Sequence, residues 1–333
     1  MSPFDLNLDD VDERTARALL AVISPPGTAA VMGGWVSARG AIETLRLALG
    51  SEPVDMHTLW EVDEWRTTIR ERLAEPDIAG AFFTALAPDP RVLIPSDPHW
   101  PTGLEDLGHW APLALWAEGN TSLLATPHTD RVAVVGRQAA TEYGLVTAQK
   151  LAHDLAGRGL QVVSGGAHGI DLEAHRGAYV SGGATIVVLA GSLDNPLPPA
   201  NMSLFHRIRD NGGVLLTETP PGILPSHAAA RARHRITAAL SGGMVAIEAR
   251  NRSKTPGVCE EALALGRPLG AFPGPVTSLT SVASHELISS GEAVLVTNAD
   301  DVARMLRRAS RGAVPLEGPA PSQRPAPPHG RLR

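Results

Sequence analysis

VVSGGAHGIDLEAHRGA, residues Val162 to Ala178, is the stretch whose reading decides the fold. A short β-branched run breaks into glycines and then resumes as a polar, helix-forming segment with an acid near its start, so it reads as strand, turn and helix. The same order recurs on both sides of it. RVAVVG precedes EYGLVTAQKLAHDLAGRG, where Leu145, Ala148, Leu151, Ala152 and Leu155 recur at helical spacing and Gly157 and Gly159 end the helix. Downstream, TIVVLAG, VLLTET, MVAIEA, PLGAFPG and AVLVTNA alternate with helices expected near 202–210, 229–240, through CEEALALG and through SVASHELISS. Strands that are apolar throughout and joined by helices require a parallel sheet covered on both faces. The expected class is α/β, a doubly wound parallel sheet.

That sheet accounts for residues 131–310. Residues 1–75 show helical periodicity in RTARALLAVI and AIETLRLALG, broken at Pro25, Pro26 and Gly27, and predict a small all-α domain. Residues 76–130 form a Pro-rich connector with two strand-like pieces, in RVLIPSDPHWPTGLEDL and PLALWAEGN, whose tryptophans suit packing. Residues 311–333 carry too much proline and too little apolar content to fold alone and are expected to be disordered.

The chain of 333 residues has 43% hydrophobic and 19% charged content, the balance of an ordinary soluble protein. No apolar run reaches the ~20 residues of a membrane span, and the acidic start MSPFDLNLDD is unlike a signal peptide, so a cytoplasmic location and no membrane partner are expected. The single Cys259 forms no internal disulfide and no thiolate metal cage. A net charge of −6 supplies no global basic field, so any polyanion site must be local. Cations are bunched at Arg231, Arg233, Arg235, Arg250, Arg252, Lys254 and Arg267.

In an open α/β sheet ligands gather outside the carboxyl ends of the strands, where helix N-termini and free amides converge. Two strand ends suit anions. One is VVGRQAATEYG, where Gly136 ends a strand and Arg137 and Gln138 open the loop; the other is SGGAHGID, where Ser164, Gly165, Gly166 and Gly169 allow close backbone approach. Neither has the dinucleotide spacing GxGxxG, and no Walker A frame precedes SKT at 253–255. His168, Asp171 and His175 stand at i, i+3 and i+7, one face of a helix, where they could ligate a metal, move protons, or simply hold the turn. A structural or binding role is the preferred reading, because an acid and a base without a nucleophile or third ligand give thin support for an enzyme.

SGGAHGIDLEAH resembles the SGxAxGIDxxAH motif of the DNA processing protein A family, also called Smf. HWPTGLEDLGHWAPLALWAEGN is similar to YPxxLxxLxDPPxxLYxxGN, VAVVGRQAATEYG to VAIVGSRxxSxYG, and TIVVLAGSLDNPLPPAN to TIAVLGxGLDxxYPxxN. GGVLLTETPPG resembles GxLLSEYPPG, RHRITAALS resembles RNRIIAGLS, and AFPGPV resembles AVPGxV, in an order running over about residues 90–295. The resemblance implies a Rossmann-like domain that grips single-stranded DNA, a SAM-like helical N-terminal domain and a homodimer. It implies a mediator that helps load a RecA-type recombinase on incoming DNA in natural transformation, with no cofactor and no catalysis. On it, Gly136, Arg137, Gln138, Ser164, Gly165, Gly166, His168, Gly169, Arg233 and Arg235 make the phosphate seat. Asp171 and His175 position the turn, and Glu248 is placed to order the arginines by pairing with them.

The chain also departs from the family pattern. GSR becomes Gly136, Arg137, Gln138, displacing the cation by one position; the variable position of AxGID is His168; FPxRNR becomes 230–235, without the aromatic; and SGSLxTA is rewritten as SKTPGVC. A Rossmann-like enzyme or sensor acting on nucleotides is the competing reading, weakly echoed by Pro256, Gly257 and Glu260–Glu261. A scaffold without ligand is a third.

Overall fold

A computed structural model describes residues 3–24, 29–50, 59–249 and 255–310. The tail 311–333, the basic residues Arg250, Arg252 and Lys254, and the helix break at 25–27 lie outside the described residues. Among the described residues, two short 3-10 turns lead into five α-helices: α1 (Glu13–Ile23), α2 (Ala29–Arg39), α3 (Ala41–Leu49), α4 (Leu59–Leu73) and α5 (Pro76–Thr84). Asp12 caps α1 by accepting from the Thr15 amide, one of the donors a helix start leaves without an internal partner. Leu19, Leu20, Ile23, Leu45 and Ile69 pack together, and Ile78, Ala81 and Phe82 of α5 join them, so the helical layer runs on through Thr84.

Next come β1 (Val92–Leu93), β2 (Leu115–Gly119), β3 (Arg131–Gly136), α6 (Glu142–Ala156), β4 (Gln161–Gly165), α7 (Ile170–Val180), β5 (Thr185–Val188), α8 (Met202–Asp210) and β6 (Val214–Thr217). The chain continues with α9 (His227–Ala239), β7 (Gly243–Ile247), α10 (Thr255–Ala264), β8 (Leu269–Ala271), α11 (Val282–Ser289), β9 (Val294–Leu295) and α12 (Ala299–Ser310). Among the described residues all strands join one nine-stranded sheet, in the order β1-β2-β6-β5-β4-β3-β7-β8-β9. From β6 to β9 the pairing is parallel; β2 runs antiparallel to β6, and β1 antiparallel to β2. The two strand-like pieces of the connector therefore extend the sheet at its β6 edge.

Alternation along the strands covers both faces. In β3, Val132 and Val134 pack under α6, α7 and α12, whereas Ala133 and Val135 pack with Ala238, Val258 and Ala262 on the opposite side. Chain order builds outward from β3 through β4 and β5 to β6; α9 then returns the chain to β7, on the other flank of β3. The strand order reverses there, the position at which open α/β sheets in general take their ligands. Among the described residues no helix is long and apolar enough to cross a membrane.

Two sets of cations tie the layers together. Arg14 forks onto the Asp97 carboxylate at 2.6 Å through both terminal nitrogens and donates to the Val92 carbonyl, while Arg17 reaches the Leu113 carbonyl. Arg131, at the start of β3, is 0% exposed. Its guanidinium donates to the carbonyls of Leu123, Leu124, Thr126 and Leu240, closing the end of the connector onto the sheet. Burial pulls Arg131 down to about 10, so it stays protonated at neutral pH, its charge met by carbonyl dipoles. Replacing Arg131 with Met keeps the volume and strands these acceptors. The expected result in a urea titration is a loss of about 3 kcal/mol, the usual consequence of breaking a buried charged network.

Candidate functional site

The turn from Ser164 to Gly169 sits at the carboxyl end of β4, next to the end of β3. The Gly169 backbone adopts φ 79°, open to glycine and costly for other residues. A Cβ there would also lie 2.3 Å from the carbonyl oxygens of Arg137 and Gln138. The Ile170 amide donates to the Arg137 carbonyl at 3.1 Å, so the loops after β3 and β4 form one unit. At Gly165 an added Cβ would fall 1.7 Å from Nη1 of Arg233, whose guanidinium fills the space facing that residue. Gly136 is packed between Ile247 of β7 and Ile170 of α7, and Gly166 against Leu189 and Phe205.

Buried polar groups hold this turn from beneath. His175 donates from Nε2 to the Gly165 carbonyl at 2.9 Å. Nδ1 then accepts from the Thr185 hydroxyl, 2.7 Å away, which also lies 2.9 Å from the Val162 carbonyl. Burial lowers His175 to about 4, so the ring is neutral at physiological pH. The Asn201 amide donates to the Gly166 carbonyl at 2.9 Å. Arg233 donates through Nη1 to the Val188 carbonyl at 2.9 Å and sets Nη2 3.5 Å from the Asp171 carboxylate. Its Nε is buried without a partner. Burial pushes the Asp171 carboxyl above the ordinary range, against the pull of Arg233.

Three sequence expectations need correcting. Arg235 does not reach the turn: two residues along a helix is a rotation of roughly 200°, which carries it away from Arg233. It forks onto Glu218 at 2.8 and 2.6 Å and donates to the Trp110 carbonyl, tying α9 to the connector. Among the described residues, Glu248 pairs with neither Arg233 nor Arg235. β7 lies beside β3, so its carboxylate meets the start of α6 instead, accepting from the Thr141 amide at 2.8 Å, from the Thr141 hydroxyl and from the Thr280 hydroxyl at 3.3 Å. An anion is favoured there by the unpaired amides of the first helical turn. Finally, His168, Asp171 and His175 do not share a helix face, because α7 starts at Ile170 and His168 precedes it.

The residues thus sort by depth. Arg137, Gln138 and His168 form the accessible rim, with Gln138 and His168 exposed and Arg137 half-buried. Ser164, Asp171, His175, Arg235 and Glu248 are buried, and Arg233 nearly so; the Ser164 hydroxyl turns inward to the Val134 carbonyl at 2.6 Å. Among the described residues no three His, Cys, Asp or Glu side chains are grouped to hold a metal ion. Asn201 is the supporting residue that sequence reasoning missed; its position at the end of DNPLPPAN was the available signal.

The neutral, buried His175 makes stability depend on pH. Its folded value, about 4, lies below the unfolded ~6.5. Between these the unfolded chain binds the extra proton, so this contribution is complete above pH ~6.5 and is lost as pH falls toward 4. The raised carboxyl of Asp171 acts in the opposite sense in its own window. Comparing Tm of the wild type with His175→Gln cancels that part: the wild type should lose the larger share of its stability between pH 6.5 and 4.5, and the variant should show the shallower dependence.

The model of the family described as DNA recombination-mediator protein A matches residues 91–307. A DNA processing protein DprA of Mycobacterium tuberculosis is 44% identical over 224 residues, covering 64% of this chain and 56% of that protein. The chain thus spans little more than half the length of this curated relative. The X-ray structure of DNA processing protein A from Streptococcus pneumoniae superposes with a TM-score of 0.66 at 27% identity, covering 91% of this chain and 98% of that one. A Helicobacter pylori DNA processing protein A structure, concerned with that protein's single-stranded DNA binding mode, gives a TM-score of 0.58 at 28% identity over 66% of this chain and 96% of that one. With the family pattern running through the sheet and both strand-end turns, the chain belongs to the DNA recombination-mediator protein A family.

Proposed function

We propose that this chain binds single-stranded DNA by its phosphate backbone at the joined turns after β3 and β4, and serves as a recombination mediator. One observation carries the reading: the Ile170 amide and Gly169 lock the two turns together, so that Arg137, Gln138 and His168 are presented as one rim at the start of α6 and α7. A guanidinium beside backbone amides and helix N-termini is chemistry suited to phosphate. Gly136, Ser164, Gly165 and Gly166 shape the seat, and Arg233, Asp171, His175 and Asn201 brace it. The Helicobacter pylori relative, described as a single-stranded DNA binder, supports the same ligand here.

The finer role is part of the proposal. The protein would act in the cytoplasm, as a homodimer, helping a RecA-type recombinase onto DNA without catalysis of its own. In support of a binding role, Asp171 and His175 are enclosed and committed to Arg233 and Gly165, which leaves them poorly placed for acid–base work on a ligand.

The test is fluorescence anisotropy with labelled oligo-dT over a salt series. Binding should weaken steeply with salt as condensed counterions are released. Arg137→Ala should weaken it and reduce the slope of log K against log salt by about one unit, as expected when one phosphate is no longer neutralised. Affinity indifferent to salt, or equal in the wild type and Arg137→Ala, would count against the proposal.

A further inference from the structure

Beyond the cationic rim, the crest of the sheet continues across β3, β7 and β8, and its character changes there. Tyr143, in the first turn of α6, is 44% exposed, and its hydroxyl donates to the Pro273 carbonyl at 2.6 Å. The segment after β8 that begins at Pro273 carries Val276, 88% exposed, and Leu279, 67% exposed. Its far end is fixed as well: the Thr280 hydroxyl donates to Glu248, the carboxylate that holds Thr141 at the start of α6. Residues 273–280 are thus tied at one end to Tyr143 and at the other to Glu248, the carboxylate that also holds Thr141, at the edge of the loop that begins with Arg137.

We propose that Tyr143, with Val276 and Leu279, is a sill on which nucleobases of the bound strand stack. This inference rests on the single-stranded DNA reading and adds to it a second kind of contact at a different place. A strand seated by its phosphates on Arg137 and Gln138 has to leave that rim along the crest, and on the β7–β8 side it meets an aromatic ring and two apolar side chains. Phosphates gain nothing there, and the exposed carboxylate of Glu142 repels them. An uncharged planar base gains apolar burial and contact with a π-face. The hydroxyl bond to Pro273 restrains the tyrosine before DNA arrives, which lowers the entropy lost on stacking.

The experiment compares oligo-dT with an abasic oligonucleotide of the same length, each across the salt series. Wild type should prefer oligo-dT. Tyr143→Ala should weaken oligo-dT about tenfold, in the range of removing one base–aromatic stack, with an unchanged salt slope and little effect on the abasic strand. Tyr143→Phe should stay within about twofold of wild type for oligo-dT, since the ring remains. Val276→Ser combined with Leu279→Ser, both at the surface, should act in the same direction as Tyr143→Ala. Equal affinity of wild type for the two strands, or a Tyr143→Ala weakening that is the same on both, overturns the sill and leaves the phosphate seat standing. So does a Tyr143→Ala protein that binds oligo-dT normally but changes its oligomeric state, which would assign the surface to protein contact. Failure of wild type to bind either strand instead removes the single-stranded DNA reading, and this inference falls with it.

Discussion

The hydrogen bond from the buried His175 ring to the Gly165 carbonyl is the contact on which the shape of the candidate site depends. A turn rich in glycine has many conformations in the unfolded chain and little of its own to select one. Selection here comes from below, by side chains on three separate elements. His175 on α7, Asn201 before α8 and Arg233 on α9 each engage the turn or the neighbouring strand end. These donors lie in a low-dielectric interior, where a satisfied polar network is rigid and a broken one is costly. The rim residues can stay few and accessible because the scaffold beneath them is fixed.

Positive charge is put to two uses in this chain. With a net charge of −6, the molecule has no surplus of cations. Yet Arg131, Arg233 and Arg235 are all withdrawn from solvent, fastening the connector to β3, the β4 turn to β5, and α9 to Glu218 and Trp110. A guanidinium suits such joints because its several N–H groups can satisfy several acceptors at once while the charge persists despite burial. Arginine number therefore overstates the charge available to a polyanion; among the described residues of the joined turns, Arg137 is the arginine left accessible.

Much of the architecture was legible because parallel strands buried on both faces announce themselves as uninterrupted apolar runs. RVAVVG, QVVSGG and MVAIEA each became a strand of the sheet, and the helix expected at 202–210 is α8. The joining of β1 and β2 to β6 was not legible, since two short antiparallel strands in a Pro-rich stretch carry no signal of their partner. At the site, the sequence located the two glycine turns, but it could not sort Arg233 from Arg235. Alternate positions on a helix differ in direction by more than half a turn, and only the packed partners, Val188 and Gly165 for one and Glu218 for the other, tell which way each points. Glu248 was misread for a related reason: its neighbours are set by the pairing of β3 with β7, a contact between segments remote in the chain.

The guanidinium of Arg233 lies where a methyl group on residue 165 would have to go. The two positions therefore share one volume. A larger residue at 165 has room only if that guanidinium swings aside, and moving it loosens the brace on β5 and the counter-charge of Asp171. A side chain at 165 and the guanidinium of residue 233 are thus alternatives for one space, and a change at either is felt at the carbonyl and the carboxylate that the arginine joins.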